Sequence, residues 1–184
     1  MLSHTALDLD GVVFNYEKTF QKEAFKLNLG ISIKHPEIYS MAKRYEITPE
    51  TVSLINSKID FSDIDIYDEV LLLKSHIKNI KCFITSSPAE ILDKRRDNII
   101  KVFNKDIPIY YAGIDEKHKI ISELGIKYFI DDHNAVIHHI EKNCPDCKAI
   151  WLDRGYKDKT LPEPDNKINS LTEFFGSIVI KRKS

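Results

Sequence analysis

Cysteine is scarce: three thiols in 184 residues. That odd number excludes a disulfide scaffold and points to reduced thiols in a cytosol-like compartment. A basic excess is missing too. Lys and Arg (27) nearly balance Asp and Glu (28), for a formal net charge of -1, so the chain lacks the electrostatic footprint of a nucleic-acid binder. Apolar stretches such as Val70–Leu73 fall far short of the roughly 20 residues a membrane helix needs. Met1-Leu2-Ser3-His4 has no basic segment leading into an apolar one, and the expectation is a cytoplasmic protein without a secretory leader. Internal repeats and low-complexity tracts are absent. What is present, 42% hydrophobic and 30% charged residues, is the composition of a folded globular chain.

Short apolar runs alternate with helical patterns, the signature of a parallel α/β sheet. The strand candidates are Thr5–Leu9, Ile80–Thr85, Ile107–Tyr111, Tyr128–Asp131 and Ala149–Leu152. Between them, Pro88–Phe103, Glu116–Leu124 and Asn134–Glu141 carry apolar residues at helical spacing. Gly125 follows Leu124 as a helix C-cap. Residues 15–67 break this alternation and read as three short helices, Tyr16–Leu27, Pro36–Glu46 and Pro49–Asn56, the last capped by Thr48 with Pro49 in its first turn. Ile59–Ile66 reads as a loop, Tyr67–His76 as a helix leading back to the sheet, and Gly155–Asn169 as a surface loop.

The strongest chemical signal ends the first strand, at Leu7-Asp8-Leu9-Asp10-Gly11-Val12. Alternation along a strand turns Asp8 and Asp10 to one side. Two like charges at the carboxyl end of a parallel strand, where open α/β sheets bind ligands, call for a divalent cation. Hard oxygen ligands favour Mg²⁺, although a bare Asp-x-Asp-Gly is as often a pair of solvated acids in a turn. Thr85-Ser86-Ser87-Pro88 places hydroxyls and backbone N–H groups ahead of a helix, an anion site or an ordinary cap. Asp131-Asp132 again puts acids at a strand end. Lys117 and Lys119 lie near the start of the preceding helix, where a cation opposes the dipole unless an acid or phosphate faces it.

Taken in order, these four segments resemble the haloacid dehalogenase (HAD) superfamily. Asp8-Leu9-Asp10-Gly11-Val12 is similar to its first motif, Thr85 to its second, Lys117 (with Lys119 as competitor) to its third, and Asp131-Asp132 to its fourth. The resemblance implies a three-layer, Rossmann-like parallel sheet formed by residues 1–14 and 68–184, with 15–67 as a small helical cap inserted after the first strand. It implies a Mg²⁺-dependent phosphomonoesterase acting on a small phosphorylated metabolite. In that reading Asp8 is the nucleophile and Asp10 the acid–base. Thr85, Ser86 and Lys117 hold the phosphate, and the metal is held by Asp8, the Asp10 carbonyl, and Asp131 or Asp132. The second Asp of the first motif favours phosphatase chemistry over dehalogenation.

Phe14-Asn15-Tyr16 and the hydroxyl and acidic motifs are also similar to the 5'-nucleotidase branch. The extra Ser in Thr85-Ser86-Ser87-Pro88 and the wide separation of Lys117 from Asp131 depart from that branch. A catalytically silent HAD-fold binding module and a phosphoprotein phosphatase are the other readings. The filled motif positions oppose the first, and a cap over the crevice opposes the second. Phe14, Tyr16 and Arg44 are the cap residues expected near a leaving group. Cys144-Pro145-Asp146-Cys147 lacks the second ligand pair of a zinc site, despite His138 and His139 just before it. His133 reads as a surface histidine, and Arg95-Arg96 as a solvated helix face.

Overall fold

The computed structural model describes residues 4–180, with the side chains of 177–180 excluded. Met1, Leu2 and Ser3 of the leader reading lie outside the described residues. Among these residues six strands form one parallel sheet: β1 (Thr5–Leu7), β2 (Ile80–Thr85), β3 (Ile109–Tyr111), β4 (Tyr128–Asp131), β5 (Lys148–Leu152) and β6 (Lys167–Ile168), in the order β3-β2-β1-β4-β5-β6. The chain winds outward from β1 to β3, then crosses to β4 and winds the other way. β1 and β4 therefore flank the topological switch point, where a doubly wound sheet opens a crevice at its carboxyl ends.

Alternation along each strand divides two cores. Leu7, Phe83, Ile130, Ile150 and Leu152 face one side, against α4 (Leu92–Phe103), α7 (Leu171–Ile180) and the 3-10 stretch Asp68–Asn79. Ala6, Cys82, Ile84, Phe129, Ala149 and Trp151 face the other, against α5 (Lys117–Glu123) and α6 (Asn134–Asn143). Both faces are covered, as an all-parallel sheet requires. The first core extends into the segment after β1 through Phe14, Phe20, Tyr45 and Ile55. That segment carries α1 (Tyr16–Lys26), α2 (Met41–Tyr45) and α3 (Pro49–Asn56).

Several expectations need correction. The first strand stops at Leu7, not Leu9, because Gly11 turns the chain at φ +79° and the N–H groups of Val13 and Phe14 both bond back to the Leu9 carbonyl. Pro36–Glu46 shrinks to α2. Arg44 Nε holds the Ile38 carbonyl at 2.7 Å, and Ile38 bridges to Lys157, so those residues stay outside the helix. The expected helix Tyr67–His76 is a 3-10 stretch whose buried Val70 and Leu73 are three residues apart, the period of that tighter coil. The loop Gly155–Asn169 contains β6, which pairs with Trp151 and Leu152. α3 and its cap match the reading: Thr48 Oγ1 accepts the Thr51 N–H at 3.2 Å. Among the described residues no helix is long and apolar enough to cross a membrane.

Candidate active site

Asp8 directly follows β1 and continues its ladder, its N–H donating to the Ile130 carbonyl at 2.9 Å. Asp131 ends β4, the neighbouring strand. Strand pairing thus brings together residues far apart in sequence. Oxygens of Asp8, Asp131 and Asp132 lie within 4.8 Å of one another, and all three residues are buried. Lys117, the first residue of α5, is only 3% exposed and points its ammonium between two of them, 2.7 Å from Asp8 Oδ1 and 2.8 Å from Asp131 Oδ2. This acidic partnership accounts for a lysine at a helix N-terminus. Lys119, by contrast, is exposed and paired with Glu116.

Gly11 makes the crowding possible. A Cβ there would fall 1.9 Å from Asp132 Oδ2 and 2.8 Å from the Tyr156 hydroxyl. The Tyr156 hydroxyl donates to Asp132 Oδ2, while Asp132 Oδ1 is buried without a partner among the described residues. Asp131 Oδ1 accepts the His133 N–H at 2.9 Å. The turn after Asp10 is itself held by Arg154, whose Nε and Nη2 donate to the Gly11 and Val12 carbonyls at 2.7 and 3.2 Å.

Asp10 also lines the cavity, with a different partner. Arg95 Nη2 donates to both its oxygens, at 2.7 and 2.6 Å, and the Ser87 hydroxyl donates to Oδ2 at 2.8 Å. Arg95 is therefore not part of a solvated face: it is 1% exposed, while Arg96 is the exposed member of the pair, bound to Asp106. Thr85 is buried and bonded to Ser87, accepting its N–H at 3.1 Å, whereas Ser86 stands exposed on the cavity wall.

The cavity has a volume of about 560 Å³ and runs from these strand ends to the inserted helices, where Tyr16, Arg44, Asn56 and Phe61 face it. Phe14 is fully buried in the core, so it does not line the cavity as expected. His133 also departs from its reading. It is partly buried, lines the cavity, and stacks on Tyr39 with ring centroids 3.8 Å apart. Tyr39 in turn meets Tyr156 edge-on, and the Arg44 guanidinium lies 4.0 Å from the Tyr156 ring centroid. Cys144 and Cys147 are buried in the core beneath α5 and α6, with Cys144 Sγ beside the Ser122 hydroxyl at 3.2 Å.

Among the described residues, five carboxylates (Asp8, Asp10, Glu17, Asp131, Asp132) and three cations (Arg44, Arg95, Lys117) line the cavity. One divalent cation would neutralise the difference. Burial first, and repulsion between neighbouring carboxylates second, raise two of these acids. Burial, then repulsion from Asp131 and Asp10, outweighs Lys117 and pushes the Asp8 carboxyl up to about 7. Burial, Asp131 and Asp8 likewise raise Asp132 well above the carboxylate range. Burial alone would lower Lys117, but Asp131 and Asp8 overcome it and raise its pKa. Burial lowers His133. An acidic, crowded site with an orphaned carboxylate oxygen fits a hard divalent cation.

Sequence reasoning named Ser87 as part of the hydroxyl motif without assigning it a role, misread Arg95 as solvated, and missed Tyr39 and Tyr156. The last three are placed only by tertiary contacts.

No family model and no curated protein matches this sequence. Solved structures do match in fold. A conserved haloacid dehalogenase-like protein of unknown function from Agrobacterium tumefaciens aligns over 97% of this chain and 98% of its own, with TM-score 0.64 and 16% identity. The magnesium-bound HAD-hydrolase YfnB of Bacillus subtilis aligns over 95% and 97%, with TM-score 0.62 and 14% identity. A HAD family hydrolase from Deinococcus radiodurans, with bound phosphate and sodium, aligns over 97% and 95%, with TM-score 0.57 and 10% identity. The chain shares the HAD-like fold with these proteins.

Proposed function

We propose that the protein is a Mg²⁺-dependent phosphomonoesterase of the HAD type that hydrolyses a small phosphorylated metabolite through an aspartyl-phosphate on Asp8. The observation carrying this reading is the buried Lys117 ammonium shared between Asp8 and Asp131, beside an Asp132 Oδ1 that has no partner among the described residues. The magnesium-bound and phosphate-bound fold neighbours support it by analogy.

In this mechanism Asp8 attacks phosphorus and takes the phosphoryl group, dividing hydrolysis into two easier displacements. Asp10 gives a proton to the leaving oxygen and then takes one from the attacking water. Lys117 neutralises charge on the transferring oxygens, with Thr85, Ser86 and nearby backbone N–H groups around the phosphate. Asp8, the Asp10 carbonyl, and Asp131 or Asp132 would hold the cation, which supplies Lewis-acid charge neutralisation. The inserted segment 15–67 acts as a cap that excludes water and selects the leaving group.

Phosphate release from a panel of phosphorylated metabolites, with Mg²⁺ and with a chelator, tests the reading. Metal-dependent release that vanishes in Asp8→Asn supports it. Metal binding without turnover on any ester would favour a silent binding module. The panel should include nucleoside monophosphates, because Tyr16, Tyr39 and Phe61 offer aromatic surface in the cavity.

A further inference from the structure

We propose that Arg95 is a subsite for a second anionic group on the substrate, a carboxylate or another phosphate, and that filling it releases Asp10 toward the leaving group. The proposal rests on the phosphomonoesterase reading for the role of Asp10. The Arg95 subsite itself rests on geometry alone.

Arg95 lines the same cavity as Asp8 and Lys117 but is 1% exposed. Its guanidinium carbon lies 5.1 Å from the Phe14 ring centroid and 4.8 Å from that of Phe61. Among the described residues one nitrogen does its hydrogen bonding: Nη2 reaches both Asp10 oxygens and, at 3.3 Å, the Ser87 hydroxyl. Nε and Nη1 are buried with no acceptor among those residues. A guanidinium is a rigid fork of five donors suited to a two-oxygen anion, and here most of the fork is idle.

Asp10 is correspondingly occupied. Both its oxygens accept from Arg95, and one also accepts from Ser87. To face a leaving group, Asp10 must give up some of these bonds and strip a buried cation of its counter-charge, which is strongly unfavourable. An anionic substituent on the substrate removes that obstacle by replacing Asp10 on Arg95. Arg44 adds to the attraction, because its Nη1 is paired with Glu17 while its buried Nη2 has no partner among the described residues, on the wall of the same cavity. A substrate lacking the second group leaves Asp10 tied, so discrimination acts on turnover as well as on binding.

Calorimetric binding of three non-hydrolysable probes in excess Mg²⁺ tests the subsite: methylphosphonate, phosphonoacetate and methylenediphosphonate. Wild type is expected to bind one or both doubly anionic probes about tenfold or more tightly than methylphosphonate, as a two-oxygen contact to arginine allows. The better probe tells a carboxylate site from a phosphate site. Arg95→Met, which keeps an apolar side chain beside the two rings, should lose that preference. Arg95→Lys keeps the charge without the fork, should keep part of it, and replaces the Met variant if that one does not fold. Equal binding of all three probes by wild type, or an unchanged preference in the folded variant, would overturn the proposal. A parallel assay compares phenyl phosphate with 4-carboxyphenyl phosphate. If wild type cleaves neither, the hydrolase reading suffers, while the binding preference still decides the subsite.

Discussion

At the scale of single residues, the site stores unfavourable electrostatics that a cation would relieve. Asp8 sits near 7 because burial outweighs its bond to Lys117. Its folded pKa lies above the unfolded value, so the folded protein binds the extra proton between roughly pH 4 and 7 and loses stability as pH rises through that window. Asp132 shifts the same way and His133 the opposite way, so the two acids together should make metal-free protein melt at a higher temperature at pH 5 than at pH 8, and Mg²⁺ should raise the melting temperature more at pH 8 than at pH 5. Scanning calorimetry in chelator and in Mg²⁺ reads both effects, and an apo protein that gains stability from pH 5 to 8 would contradict them. Asp8→Asn should flatten this dependence while lowering turnover roughly 10⁴-fold or more, as loss of a nucleophile does. Asp10→Asn carries a second penalty, since it leaves Arg95 buried without a counter-charge. Tyr156→Phe removes the hydroxyl that orients Asp132 and should weaken Mg²⁺ binding by about tenfold, measured by calorimetric titration.

At the scale of elements, the inserted helices are held by the core residues Phe20, Tyr45 and Ile55 and by a few polar end contacts. α3 presents Ser53 and Asn56 to the cavity, and Thr48 caps its first turn. Thr48→Ala should cost about 1 kcal/mol, read from denaturant unfolding, with metal affinity unchanged because Thr48 lies outside the acidic cluster. α1 joins α3 through the Tyr16 hydroxyl, which donates to Asn56 Oδ1. Tyr16→Phe should loosen that contact at a cost of about 1 kcal/mol and reorder the ranking of natural-type substrates. Hydrolysis of a small aryl phosphate should survive. An unaltered ranking would reduce the insert to packing. Arg44 is the poorer test residue, because it also holds the Ile38 carbonyl, Glu17 and the Tyr156 ring.

At the scale of the whole molecule, the doubly wound order puts β1 beside β4, and the site lies at the point where the winding reverses. The insert closes over that point and meets the loop after β5. Lys157 N–H donates to the Glu37 carbonyl at 3.1 Å, and Lys159 pairs with the Glu37 side chain at 2.9 Å. Mg²⁺ should stabilise the whole chain by mass action, by about 2.7 kcal/mol at a hundredfold excess over its dissociation constant. That gain should be lost in a chain lacking the Asp131 and Asp132 carboxylates.

Local patterning determined the layered α/β sheet, the placing of Asp8, Asp10, Thr85, Lys117 and the Asp131-Asp132 pair at strand and helix ends, and the Thr48 cap. Apolar alternation, turn glycine and capping chemistry act over a few residues, so they are visible in the chain itself. Tertiary structure alone decided which charges meet. Lys117 and Lys119 are two residues apart in sequence, yet only the first reaches Asp8, because the packing of α5 buries one side of the helix and leaves the other in water. Arg95 and Arg96 part in the same way, one turned to Asp10 and the other to solvent. Tyr156 lay hidden in an irregular loop until pairing of β4 with β5 carried that loop back over Asp132. Such contacts arise from the packing angle of a helix or the return path of a loop, which depend on every neighbour at once and leave no periodic trace in the residues involved.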